Sequence, residues 1–201
     1  RGFAVDAIYV ASLKEQESEA FVAQALDAFA PDVILNATAF SARRDAGCVL
    51  DRADAPVLQV ALATCTRDAW EASARGANAA DLAMNVVLPE VDGRIFTRAI
   101  SFKETAPRGA AELDEPRHAP EPSRIAFVAA LAANWARLRR KTNAEKSLAL
   151  ILSDYPARRG RSGYAIGLDA EASVIEIVAT LRDAGYSLND PPSLRAEGEA
   201  I

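Results

Sequence analysis

Apolar and polar positions alternate along the first half of the chain in the manner of an α/β fold, with buried strands and one-sided helices following each other. The run "FAVDAIYVA" (Phe3 to Ala11) reads as a strand. Phe21, Val22, Ala25, Leu26 and Phe29 then recur at helical spacing, which predicts a helix over 15–30, stopped by Pro31. "DVILNATAF" and "PVLQVAL" are apolar without alternation, the pattern of strands covered on both faces. A short helix over 67–73 follows, ending near Gly76. The segment "ADLAMNVVLPEVDGRIFTRAISFK" predicts a short helix, a strand over 85–88, a turn at Asp92-Gly93 and an extended stretch to Phe102.

Between Glu104 and Arg124 the pattern is lost. Pro107, Pro116, Pro120 and Pro122 stand among Glu112, Asp114, Glu115 and Glu121, too little apolar surface to order a segment by itself. Beyond it, "RIAFVAALAANWARLRR" predicts a helix over 124–140 and "KSLALILSDYP" a buried strand. Val174, Ile175, Val178 and Leu181 predict a helix over 172–184, with Gly185 at the position after its cap. The expected architecture is α/β: two Rossmann- or flavodoxin-like units with mostly parallel sheets. They would occupy 1–103 and 124–201, joined by a Pro-rich acidic linker or surface loop at 104–123.

Composition narrows the classes of function. Half of the 201 residues are hydrophobic, a quarter are charged, and the net charge is −5. This excludes a broad nucleic-acid surface, leaving room only for local basic patches. No apolar run is long enough for a membrane-spanning helix and no signal-peptide pattern is present, so a cytoplasmic protein with no membrane partner is expected. Cys48 and Cys65 are expected to be free thiols of a reducing compartment. The chain opens at Arg1 directly into an apolar run and stops at "RAEGEAI", which reads as a piece cut from a longer polypeptide.

Candidate chemistry concentrates in the loop that follows "LALIL", where "SDYPARRGRSGYAIGLD" (Ser153 to Asp169) carries Arg158, Arg159 and Arg161 with Gly160, Gly163 and Gly167. A loop between a buried strand and a helix is where α/β proteins bind ligands, and helix N-termini favour negative charge. The composition fits an anion site, although neither nucleotide-loop spacing, G-x-G-x-x-G or G-x-x-x-x-G-K-[ST], occurs. A solvated basic turn is the alternative. Glu90 and Asp92 flank a turn, where they serve either as base or hard-cation ligand or simply as solvated acids. His118, the single histidine, falls in the Pro-rich stretch and is expected to be exposed rather than catalytic. Trp70 and Trp135 are expected in the core. No Cys/His cluster of metal-site spacing exists, so no metal ligand is assigned.

The segments "NATAF", "PVLQV", "DLAMNVVLPEVDGRI", "ISFK", "LAANW" and "YPARRGR…GLD", in this order, resemble the large subunit of aerobic cobaltochelatase, the CobN type. That family also contains the large, porphyrin-binding subunit of magnesium chelatase. The similarity covers residues 33–186, and family members are far longer than this chain. Asp154 and Tyr164 stand where the family commonly has Asn, and Ala74, Ala79 and Glu171 where it has Pro.

The resemblance implies part of an ATP-dependent ligase of cobalamin biosynthesis. Its large subunit binds hydrogenobyrinic acid a,c-diamide, a corrin precursor, together with cobalt(II) as substrate. An AAA+ ATPase subunit and a companion subunit hydrolyse the ATP, in keeping with the missing Walker motif here. Insertion requires a base for the two inner-nitrogen protons and partners for the ligand's rim carboxylates and amides. Arg158, Arg159, Arg161 and Tyr155 are the rim candidates, with Asn36, Thr38 and Ser41 as polar strand-end groups and Glu90 as base or transient cobalt ligand. The segment by itself is not expected to insert metal. Two other classes stay open beside it: a magnesium-chelatase-type subunit, and a non-catalytic two-lobed small-molecule binding or docking module.

Overall fold

The computed structural model describes residues 2–45, 47–104, 117–152 and 169–188. The chain divides into two compact units, Arg1–Arg139 and Arg140–Ile201. The first contains one four-stranded sheet, built from β1 (Ile34–Asn36), β2 (Val57–Leu62), β3 (Ile95–Glu104) and β4 (Arg117–Pro120) in that spatial order. β1, β2 and β3 run parallel, and β4 closes the edge antiparallel to β3. The α/β class with a mostly parallel sheet is therefore present. A second sheet is not seen among the described residues. Of the segment expected as a linker, Glu104 belongs to β3, Arg117–Pro120 is β4 and Pro122 opens the next helix, while 105–116 lie outside the described residues.

The first core is built by helix α1 (Gln16–Phe29) lying on the 3-10 turn Val49–Ala53 and on β1. Val22 and Leu26, one turn apart, are the buried positions of α1, and they meet Leu13, Ala42, Cys48, Val49 and Leu50. Phe21 and Phe29, also expected on the inner face, are 55% and 40% exposed. α1 ends as expected at Ala30, whose left-handed backbone returns its N–H to Leu26 O just before Pro31. β2 is buried from Leu58 to Ala61, as its unbroken apolar run requires of a central parallel strand. A second cluster, Ala61, Ala63, Ala99 and Phe102, fills the space beside β3, with Trp70 and Phe96 packed against it.

Three expected strands take other forms. Residues 3–11 have no strand partner among the described residues and lie largely exposed, with Tyr9 94% and Val5 85% accessible. An extended segment without a neighbour leaves its ladder hydrogen bonds unmade and gains nothing from the apolar alternation. Residues 85–88 are helical: α3 (Ala79–Leu82), a π-helical turn (Ala83–Val87) and α4 (Leu88–Val91) form one continuous run. Its buried positions are Asp81, Asn85 and Pro89, spaced four apart, so the helix period is carried by two polar residues and a proline while Leu82, Val87 and Leu88 stay exposed. The wide turn sits where Pro89 cannot supply an N–H to the ladder. Within the second unit, Lys146–Leu152 is irregular up to the limit of the described residues.

The remaining elements follow the sequence closely. α2 (Arg67–Ala72) is capped by the Thr66 hydroxyl, which accepts from Ala69 N–H, and Gly93 makes the expected turn with φ +76°. α5 (Pro122–Arg140) buries Val128, Ala132 and Ala136. α6 (Ala170–Asp183) starts at an Asp169 cap and ends with Gly185 beyond Ala184. Leu58 is fully inaccessible at the centre of the sheet, so Leu58→Ala is expected to cost about 2–5 kcal/mol, read as a lowered denaturant midpoint. A loss below about 1 kcal/mol would mean that this strand is not central.

Candidate functional site

The loop carrying Tyr155, Arg158, Arg159 and Arg161 lies outside the described residues. The structure does bring the other predicted residues, Asn36, Thr38 and Ser41, into one place: the carboxyl end of β1 and the loop that leaves it. Asn36 and Gln59 face each other across the β1–β2 pair. Asn36 Nδ2 donates to Gln59 Oε1 at 2.7 Å and to Thr38 O at 3.1 Å, while the Thr38 hydroxyl donates back to Asn36 Oδ1 at 3.0 Å. This short polar circuit to the backbone two residues on turns the chain out of the sheet after three residues, despite the apolar sequence that follows.

Arg94, immediately before β3, enters the same place from the other side. Its Nη1 donates to Gln59 Oε1 and Thr38 O, both at 3.2 Å, and its Nη2 donates to Asp92 Oδ2 at 2.7 Å. Gln59 Nε2 donates to Thr38 O and Val60 O, completing its four-bond capacity in a site with no accessible surface. Asp92 in turn accepts from the Ser41 hydroxyl, from Ala42 N–H at 2.6 Å and from Arg43 N–H at 3.2 Å. Burial pushes the Asp92 carboxyl up, but the Ser41, Ala42 and Arg43 hydrogen bonds and the Arg94 charge outweigh it and hold the group below the usual carboxylate range. The Asp92 and Arg94 side chains are each 1% exposed. Asp92, expected beside Glu90 as a surface acid, is thus a buried ion-pair member; Glu90 alone is exposed.

The arrangement is inward-facing. The Asn36 amide and the Ser41 hydroxyl are committed to partners within the protein, and what the loop presents outward is Phe40, 54% exposed. Phe40 holds φ +65° with its N–H donated to Met84 O, a left-handed backbone that a bulky residue adopts only when its surroundings impose it. Sequence reasoning missed Gln59, Arg94 and the buried state of Asp92. The legible signal was a lone Gln inside "PVLQVAL", since a polar residue in a fully buried strand must find partners. An open hollow of about 500 Å³ lies between residues 73–79 and the π-helical turn, and none of the predicted site residues lines it. His118 is exposed as expected, with Nδ1 3.3 Å from the Ser101 hydroxyl. Trp70 and Trp135 are half-buried, Cys48 and Cys65 are free, and no group of three His, Cys, Asp or Glu side chains able to hold a metal occurs among the described residues.

Residues 1–199 match the family described as CobN/Magnesium Chelatase, and the chain belongs to that family. It is 40% identical over 199 residues to the aerobic cobaltochelatase subunit CobN of Sinorhizobium sp, covering 96% of this chain and 15% of that one. To the aerobic cobaltochelatase subunit CobN of Pseudomonas aeruginosa it is 42% identical over 193 residues, covering 94% of this chain and 16% of that protein. Among solved structures, the catalytic subunit of cobaltochelatase from Mycobacterium tuberculosis superposes with a TM-score of 0.72 at 32% identity, over 90% of this chain and 15% of that one. The chain therefore spans about 15% of the length of these relatives.

The buried pair has a measurable consequence. A carboxyl whose folded pKa is depressed stabilises the fold above its unfolded pKa, about 4, and loses that contribution as pH falls through the lower folded value. Asp92→Asn is expected to lower stability at neutral pH by about 3–5 kcal/mol, because Arg94 is left buried without its counter-charge. Denaturant titrations between neutral pH and pH 3 should show a flatter acid limb for Asp92→Asn than for the parent. Parallel limbs would show that Asp92 is not the titrating group.

Proposed function

We propose that the chain is the part of an ATP-dependent cobaltochelatase large subunit that helps bind a corrin precursor for insertion of cobalt(II). The observation that carries this is identity of 40% to a cobaltochelatase subunit along 199 residues, nearly the whole chain. A span of that length takes in the positions of the arginine loop, the "NATAF" crossover and the Asp-Gly turn. The substrate we infer is hydrogenobyrinic acid a,c-diamide, with cobalt(II) as the second substrate and cobalamin biosynthesis as the setting. An AAA+ ATPase subunit and its companion would supply the ATP hydrolysis, since this sequence has no Walker motif.

In this reading, Arg158, Arg159 and Arg161 hold the ligand's rim carboxylates by charge-assisted hydrogen bonds, with Tyr155 beside them. Asn36, Thr38 and Ser41 act through their hydrogen bonds to Gln59 and Asp92, fixing the crossover loop so that Phe40 faces outward. Glu90, an exposed carboxylate on α4, accepts a proton from the macrocycle or transiently ligates cobalt as its water is stripped. The remaining groups that would complete insertion belong to other parts of the longer subunit, so this chain with cobalt(II) and ATP is expected to insert no metal.

Absorbance titration of the chain with hydrogenobyrinic acid a,c-diamide is expected to shift the ligand band. Arg161→Glu is expected to weaken that binding at least about tenfold, the loss of a charge-assisted contact together with added repulsion. A band left unshifted by the parent chain would sink the reading. In the assembled enzyme, magnesium inserted in preference to cobalt would transfer it to the magnesium-chelatase branch.

A further inference from the structure

A second group of arginines lies away from the buried pair, beside the carboxyl end of β2 and along β3; the ends of parallel strands are where such sheets open a crevice for ligands. Arg67 opens α2, Arg98 stands on β3, and Arg124 lies in the first turn of α5. Aromatic rings hold all three. The Arg67 guanidinium is 5.2 Å from the Phe102 ring centroid, and Arg124 is 5.6 Å from Trp70 and 5.8 Å from Phe102. Arg98 stacks at 3.6 Å on Phe127, a ring 43% exposed. Gly76 lets Trp70 lie where it does, since a Cβ there would fall 2.9 Å from the indole.

Among the described residues, the charges of the group do not cancel. Arg67 takes both neighbouring acids, Glu71 at 2.6 Å and Glu121 at 3.3 Å. Arg98 forms no ion pair or hydrogen bond with any described residue, and Arg124 donates only its Nε, to Ala99 O at 2.5 Å. Three guanidiniums against two carboxylates leave one positive charge, with the outer N–H groups of Arg98 and Arg124 unassigned. Burial lowers the pKa of Arg124, and the charges of Arg67 and Arg98 lower it further against a smaller opposing effect of Glu121. Stacking alone would be served by one arginine per ring. Placing like charges within electrostatic reach of each other, with no third acid paired to them among the described residues, is unfavourable until an anion arrives.

We propose that Arg98 and Arg124 form a carboxylate subsite, filled by one rim carboxylate of a planar macrocycle whose flat body lies against Phe127 and Trp70. The identity of the carrier rests on the chelatase reading above; the carboxylate chemistry does not. A carboxylate matches the single charge left uncompensated among the described residues and the planar fork of a guanidinium, and the exposed Phe127 ring with the half-buried Trp70 indole suits a flat apolar body. An acidic segment of a partner protein offers the same charge without the flat body.

The test uses the chain with Trp135→Phe, so that Trp70, the other of its two tryptophans, reports on the site. Tricarballylate is titrated by Trp70 fluorescence, and uroporphyrin and a cationic pyridyl porphyrin by their own absorbance. Both carboxylates are expected to bind, the cationic porphyrin is not, and Arg98→Gln should weaken both at least about tenfold while Arg98→Lys recovers part of the loss. Arg98 bonds to no backbone group, and far-ultraviolet circular dichroism confirms that the variant is folded. Tricarballylate bound through Arg98 with uroporphyrin ignored would uphold the carboxylate subsite and sink the macrocycle reading. Equal binding of both porphyrins, binding indifferent to Arg98→Gln, or Arg98-dependent binding of a polyglutamate peptide alone would each overturn the proposal.

Discussion

Arg94 is a charge placed just ahead of β3, an interior strand, where it is almost wholly buried, and the first unit is arranged to answer it. One charge partner, Asp92, and two neutral oxygens, Gln59 Oε1 and Thr38 O, surround the guanidinium. Each of these has a further duty. Gln59 fixes β2 against Asn36 of β1, and Asp92 draws in the backbone of Ala42 and Arg43. The register of two strands, the exit of the crossover loop and the Asp-Gly turn are thereby set by one desolvated ion pair. Such pairs add little net stability compared with an apolar replacement, yet removing one member is costly, which makes them devices of specificity. Here the specified feature is the path of residues 38–43 over the start of β3.

That path explains the step in the sheet. β1 stops at Asn36, level with Gln59 in β2 and Phe96 in β3, whereas β2 and β3 continue to Leu62 and Ser101, and β4 joins only beyond that level. The carboxyl ends of the strands therefore do not form one rim. The polar pair occupies the lower tread beside β1, and the aromatic–arginine group occupies the upper tread beside β3, where Arg98, Ala99 and Phe102 lie.

The elements legible in the sequence were those whose signals are local. α1 had a four-residue apolar spacing and a proline stop, β2 an unbroken apolar run, α6 a one-sided apolar spacing with Gly185 beyond it, and the 92–93 turn its Asp-Gly pair. Elements decided by remote partners were not legible. The run 3–11 has the composition of a strand and lacks a neighbour; 85–88 has β-branched apolar residues, yet its helix turns a polar face, Asp81 and Asn85, inward. β4 was concealed by prolines, which an edge strand accommodates because half of its N–H groups face outward. The site divides in the same way. Asn36, Thr38 and Ser41 drew notice as polar groups at a strand end, but the partners that turn them inward come from β2 and from the residues ahead of β3, distant in sequence.

Charge balance separates the two arginine environments and gives each a different meaning. Around Arg94 all but one of the buried donors is matched, the exception being Nε, and the charge is neutralised within the protein, so an external anion has nothing to add. Around Arg98 and Arg124 the opposite holds among the described residues: the neighbouring acids Glu71 and Glu121 are taken by Arg67, aromatic rings lie against the guanidiniums, and their outer N–H groups meet no described partner. A folded chain maintains uncancelled like charge at a half-buried site only against an energetic cost, since repulsion and desolvation both act against it. In the first unit that cost falls beside the carboxyl end of β2 and along β3, next to the exposed ring of Phe127. Recognition of an acid-bearing flat ligand is the use of such a site that the closed network around Arg94 could not provide.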